Sequence, residues 1–368
     1  MPHDEGRASA CVLPTGIIRG QAARTLTANG LALPLGARRA YLAVDIALRQ
    51  EGPAQRLAMR VDEIDAWLAG QPSRVRVDVM NAIHALGQEP EPLWAGAPAW
   101  PLLMGVVNVT PDSFSDGGRF LARDAAIEQG LRLAAAGAAL VDVGGESTRP
   151  GAEPVPIEEE IRRVVPVIGA LAAAGLRVSI DSRNAATMQA ALAAGAVVIN
   201  DVSALTHDPA ALEVARASGV PVVLMHAQGD PRTMQQNPTY DDVVLDVFDV
   251  LAERVRACER AGIPRRRLVI DPGIGFGKTL EHNLRILGHL ALFRGLGCAL
   301  LLGVSRKSFI ARLAQPVEAP PEARLPGSLA AALAGLARGA DVLRVHDVLE
   351  MRQAMAVWRA IEEGESDL

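Results

Sequence analysis

From residue 102 onward, short unbroken apolar runs alternate with longer stretches in which Ala and Leu recur at helical spacing. Eight runs stand out, at 102–107, 139–143, 176–180, 197–199, 220–225, 268–270, 299–302 and 342–345. Apolarity without alternation suits strands covered on both faces, as in a parallel sheet. Between them, helices are expected over 124–136, 157–174, 185–194, 240–262, 280–290, 328–338 and 348–362. Several segments close on Gly137, Gly175, Gly195, Gly219, Gly262 or Gly339, the residue that most easily takes the left-handed turn ending a helix. Eight βα units in succession define an α/β protein of the (β/α)8 TIM-barrel class. A doubly wound open sheet is the competing topology. It would carry a dinucleotide loop after its first strand, and Asn108-Val109-Thr110-Pro111 is not one.

Residues 1–96 break this rhythm and read as a small N-terminal extension to a barrel spanning 97–368. Short helices are expected at 40–49 and 61–68, and a strand followed by a helix within 74–86. Gly52-Pro53, Gly70-Gln71-Pro72 and Glu89-Pro90-Glu91-Pro92 punctuate them,. The Pro- and Ala-rich segment 87–100 reads as a linker. No catalytic pattern appears before residue 102, and His84 among apolar neighbours reads as structural. On motif positions alone, a chain beginning near Ala97 is expected to fold and work.

Composition narrows the function. Hydrophobic residues make up 49% of the chain, enough for a large core, but no run approaches the ~18 apolar residues of a membrane span. Aromatics at 3% leave little for stacking on bases or sugars,, and a net charge of −5 argues against general nucleic-acid binding,. Cys11, Cys258 and Cys298 are too scattered for a disulfide framework or a thiolate metal site. Asp4 and Glu5, with no signal-type apolar core beside them, lead to the expectation of a cytoplasmic protein.

Chemistry gathers where the strands end, the face on which barrels build their sites. In order these positions give Asn108; Asp142 with Gly144 to Gly151; Asp181; Asn200 and Asp201; His226; Asp271; Ser305 to Lys307; and Arg344 to Asp347. A single Asp after a strand is more often a helix N-cap, but so many polar groups at one mouth cannot all be caps. Asn108, Arg149, Arg344 and His346 would suit a phosphate or diphosphate, and Asn108 could offer a neutral oxygen to Mg2+. Asp181, Asn200, Asp271 and Lys307 would suit a flat heterocycle with amide and amidine edges.

These residues lie in motifs that resemble dihydropteroate synthase. The motifs are MGVVNVTPDSFSDGG from Met104, VDVGGESTRPGAE from Val141, SIDS from Ser179, INDVSA from Ile199, LMH from Leu224, IDPGIGFGKT from Ile270, GVSRKS from Gly303 and RVHDV from Arg344. The resemblance implies condensation of 6-hydroxymethyl-7,8-dihydropterin diphosphate with 4-aminobenzoate, forming 7,8-dihydropteroate and releasing diphosphate. It implies a pterin held by Asp181, Asn200, Asp271 and Lys307 between Met225 and Phe276. Asn108 would bind Mg2+ and, with Arg149, Arg344 and His346, the diphosphate. Thr148, Arg149, Pro150, Ser305 and Lys307 would shape the aminobenzoate site, and Asp271, Lys307 and Arg149 would carry catalysis. A homodimer without nucleic-acid or membrane partners is also implied.

Look-alike motifs fare worse. Gly277-Lys278-Thr279 echoes the end of a P-loop, but Pro272 stands where its first glycine belongs. Asp181 with Asp271 could be a glycosidase pair, and His226 a metal ligand, yet no second His or Cys accompanies it in the motif. A methyltransferase acting on methyltetrahydrofolate would share the pterin carboxylates but have no use for the two diphosphate loops. A pterin-binding sensor would not need every polar position filled.

Overall fold

The structure, a computed structural model, describes residues 8–49, 52–109, 118–146, 154–229, 233–314 and 319–362, with the side chains of 118–121 outside that description. Eight strands form a closed parallel barrel: β5 (Leu102–Asn108), β6 (Leu140–Gly144), β7 (Val178–Asp181), β8 (Val198–Asp201), β9 (Val222–Met225), β10 (Leu268–Asp271), β11 (Ala299–Leu302) and β12 (Val342–Val345). Each coincides with one of the eight apolar runs. The helices packed around them include α4 (Gly118–Ala135), α5 (Ile157–Ala173), α6 (Ala185–Ala193), α7 (Ala211–Ser218), α8 (Val243–Arg260), α9 (Leu280–Gly288), α10 (Ser308–Leu313), α11 (Leu325–Ala337) and α12 (Val348–Glu362). Asp242 caps α8 by accepting from the Val244 amide at 3.0 Å, which satisfies a donor that the first helical turn leaves free. No described helix is long and apolar enough to cross a membrane.

Strand pleating places the site. Leu102, Met104, Leu140, Val198, Val223, Val269, Leu301 and Val342 form one buried apolar cluster that fills the barrel interior. Two residues further along their strands, hence on the same inward face, come Asp142, Asn200, Met225, Asp271, Gly303 and Arg344. The interior therefore changes from hydrocarbon to charge within one layer, toward the ends of the strands.

The extension differs from its reading. It contains β1 (Ala10–Arg19), α1 (Gly20–Ala28), β2 (Leu33–Leu35), β3 (Arg39–Leu48), β4 (Gln55–Arg60), α2 (Ile64–Ala69) and α3 (Ser73–Gly87). The helix expected at 40–49 is the strand β3, paired antiparallel with β1 along its whole length and with β2 and β4 on its other edge. The strand expected within 74–86 is part of the single helix α3. The short helix at 61–68 matches a 3₁₀ turn, Val61–Glu63, running into α2.

The misreading of β3 has a physical cause. Cys11, Leu13 and Ala47 on one face of the sheet belong to the barrel's core, while Ala10, Val12, Val44 and Ile46 on the other pack with Val79 and Leu86 of α3. With both faces covered, the alternation that marks a half-exposed strand is lost.

Segment 87–100 is more than a linker. Leu93, Trp94 and Trp100 pack against the apolar cluster inside the barrel, and Trp100 Nε1 donates to Pro90 O at 2.9 Å. The extension is riveted to the barrel as well as packed on it. Arg294, only 2% exposed, donates to both Asp341 carboxylate oxygens at 2.7 and 2.9 Å and, across the junction, to Gln88 O at 2.8 Å. Arg49 pairs with Asp249, and Arg56 with Asp242.

Candidate active site

Three strands bring a guanidinium and two carboxylates together in the mouth. Arg344 on β12 donates from Nε to Asp142 Oδ2 and from Nη2 to Asp181 Oδ2, both at 2.7 Å. Asn200 donates to Asp142 Oδ2 at 3.0 Å. Asp142, fully buried, thus organises Arg344 and Asn200 from below. Burial pushes the Asp181 carboxyl up to about 7 against the pull of Arg344, with Asp142 adding repulsion. The Arg344 guanidinium is held still more firmly protonated by its two carboxylates. Arg344, expected among the anion ligands, is here tied to the heterocycle-facing carboxylates as well.

Asp271 ends β10 beside Met225 of β9. Its Oδ1 accepts from the Gly273 amide at 2.7 Å, and burial raises its carboxyl while that hydrogen bond and Lys307 oppose the rise. The loop that follows cannot carry side chains at two of its glycines. A Cβ at Gly273 would sit 1.9 Å from His226 O, and one at Gly277 2.4 Å from Gln228 O. Both also hold positive φ, +69° and +61°, conformations that glycine takes without steric cost. Packing thus requires glycine at these two positions of IDPGIGFG. Phe276, carried by this loop, lies under the Lys307 ammonium at 4.0 Å from Nζ to ring centre, within cation–π range.

On the far side, Ser305 Oγ lies 3.0 Å from His346 Nδ1 and accepts from the His346 amide at 3.2 Å. The Ser305 loop is fixed through Arg306, which adopts φ +58°. Its amide donates to Ser328 Oγ, its carbonyl accepts from Arg324, and its guanidinium pairs with Asp347. Asn108 is half-buried at the end of β5, in register with Gly144. Thr148, Arg149 and Pro150, as well as 110–117, lie outside the described residues. Glu146, just before them, is gripped by Arg183 through two hydrogen bonds of 3.1 Å.

Sequence reasoning placed Asp142 at a strand end without giving it a role. A carboxylate inside the otherwise apolar run Leu140–Gly144 was the available signal. It gave Lys278 no role either, reading it only as part of a failed phosphate-loop motif. His226, weighed as a metal ligand, has its Nδ1 2.9 Å from Lys278 Nζ. No group of three or more His, Cys, Asp or Glu able to hold a metal occurs among the described residues.

A closed parallel barrel whose mouth gathers two carboxylates, an amide and an ammonium, the last lying over an aromatic ring, has the makings of a heterocycle-binding enzyme of the α/β-barrel class. The family model described as pterin binding enzyme matches residues 104–346, and the chain belongs to that family. It is 46% identical over 261 residues to the dihydropteroate synthase of Escherichia coli K12, covering 71% of this chain and 91% of that one. Dihydropteroate synthase from Xanthomonas albilineans with 4-aminobenzoic acid superposes with a TM-score of 0.66 at 51% identity, covering 71% of this chain and 93% of that one. The same organism's enzyme in complex with 7,8-dihydropteroate gives 0.64 at 48%, covering 71% and 94%.

Proposed function

We infer that this chain is a dihydropteroate synthase, a transferase joining 6-hydroxymethyl-7,8-dihydropterin diphosphate to 4-aminobenzoate with release of diphosphate. The observation that carries the reading is the ring of Asp181, Asn200, Asp271 and Lys307, with Phe276 under the ammonium, in a chain of this family. Asp181 and Asp271 would accept from the amidine edge of the pterin, Asn200 would both donate and accept, and Lys307 would donate to the ring carbonyl. Met225 and Phe276 would wall its faces.

The chemistry asked of such a site is charge stabilisation. As the C–O bond to diphosphate breaks, positive charge grows on the pterin methylene and negative charge on the leaving group. An ionised Asp271 favours the first. Arg149 and His346, the latter oriented by Ser305, favour the second. The neutral aniline nitrogen is nucleophilic enough to attack without a strong base. Asn108 suits Mg2+, because that ion keeps water and phosphate ligands and needs few from protein; when bound, it would neutralise charge on the diphosphate. Thr148, Arg149, Ser305 and Lys307 would complete the aminobenzoate pocket.

Release of diphosphate that depends on both substrates tests the activity; release without 4-aminobenzoate would point to a hydrolase. Asp271→Asn, which keeps shape but replaces an acceptor-only group with one that must also donate, should weaken pterin binding about ten- to a hundredfold, the scale of a lost charged hydrogen bond. Calorimetric titration reads it, and unchanged affinity would remove Asp271 from the site. A cytoplasmic location belongs to the same reading, supported by three buried free cysteines. So does a homodimer, supported by Leu349, Val357 and Ile361 exposed along one stripe of α12; sedimentation showing only a monomer would remove it.

A further inference from the structure

The loop from Asp271 to Thr279 has no ladder of its own, and its backbone is received by side chains. Lys278 Nζ donates to Gly273 O and Phe276 O, each at 3.0 Å, and to His226 O at 3.3 Å, and lies 2.9 Å from His226 Nδ1. Gln235 donates to Gly275 O at 2.6 Å, and the Tyr240 hydroxyl to Gly277 O at 2.8 Å. Asn283 Oδ1 accepts from the Gly275 amide at 2.7 Å. Lys278 is 2% exposed, so its ammonium has exchanged water for this cage of four acceptors. Burial lowers the Lys278 amine to about 7, against the pull of Asp271; in its charged form it has three protons, so two of the four acceptors then share one. Burial and the adjacent ammonium hold the His226 imidazole neutral, leaving a lone pair to accept.

A buried lysine is costly unless its bonds are replaced, and here the replacement comes chiefly from one loop and from the end of β9. That loop starts at Asp271, whose carboxylate it grips through the Gly273 amide, and it carries Phe276 to the Lys307 ammonium. We propose that Lys278 is a positioning residue for the pterin site, a tethered amine around which loop 272–277 is wound so that Phe276 and the Gly273 amide are fixed in place. The proposal rests on the pterin-binding reading of this site.

The test uses the full chain with Lys278→Met, which keeps the apolar stem, and Lys278→Ala, which leaves room for a small ammonium ion. In Lys278→Met, backbone amides of 273–279 should exchange with deuterium at least about tenfold faster. Affinity for 6-hydroxymethylpterin should fall roughly ten- to a hundredfold, the scale of ångström-level misplacement. Millimolar ethylammonium should restore both in Lys278→Ala, whereas tetramethylammonium, which cannot donate, should not. Unchanged exchange in Lys278→Met would overturn the cage. Faster exchange with wild-type pterin affinity would overturn the positioning role and leave only a structural one. If Lys278→Met does not fold, failure of ethylammonium to rescue Lys278→Ala overturns the proposal. A wild-type protein that does not bind pterin would instead sink the functional reading, with exchange and rescue of exchange still deciding the cage.

Discussion

Arg344→Ala is expected to cost the folded protein about 3–5 kcal/mol, the usual penalty for removing one partner of a buried ion pair. Its guanidinium is the donor shared by Asp142 and Asp181. Without it, two carboxyls face one another inside a barrel and one must keep its proton. The effect has a direction with pH. Burial already raises the Asp181 carboxyl to about 7. A carboxyl raised in the folded state leaves stability intact below its unfolded value and erodes it as pH climbs toward the folded one. Loss of Arg344 raises that carboxyl further, so the deficit should be larger near pH 8 than near pH 5. Urea unfolding at the two pH values measures it, and a deficit independent of pH would mean that Arg344 does not balance these charges. Pterin affinity should fall in the same variant, because Asp181 loses the partner that orients it.

A chain beginning at Ala97 is expected to be insoluble or inactive, against what motif positions alone suggest. The cut strips Cys11, Leu13 and Ala47 from the barrel's core, uncovers Ala291, and takes Leu93 and Trp94 from the cluster at the barrel floor. Burying a large apolar side chain is worth about 1.5–3 kcal/mol. Losing several such contacts therefore approaches the whole 5–15 kcal/mol that stabilises an ordinary domain. Arg294 would also lose the Gln88 carbonyl that its Nη2 requires. A chain beginning at Gln88 restores that carbonyl and the two floor residues, so it should recover part of the soluble yield. Full activity from the Ala97 chain would show that the barrel stands alone.

The barrel was legible because its strands are covered on both faces and its helices end on glycine, so each element announces itself in composition. The heterocycle-facing side chains were legible for a related reason: Asp181, Asn200 and Asp271 interrupt apolar runs at their ends. What the pattern could not convey was pairing. Nothing in the string says that Arg344 reaches Asp142, some two hundred positions away, and not an anion alone. Lys278 was hidden because its partners are backbone carbonyls, which every residue has. In the extension, β3 was obscured by the burial that makes it central to its sheet.

The junction between the sheet and the barrel also sets a schedule. Cys11 and Val12 line the same cleft as Phe248, Val255 and Leu296, which the ribosome makes far later. Ala47 and Leu296 are separated by about 250 residues, and at ~5–20 residues per second this is roughly 12–50 s of synthesis. For that interval the barrel-facing side of the sheet has no barrel to meet, so a sheet made before the barrel is among the last surfaces to be shielded from water.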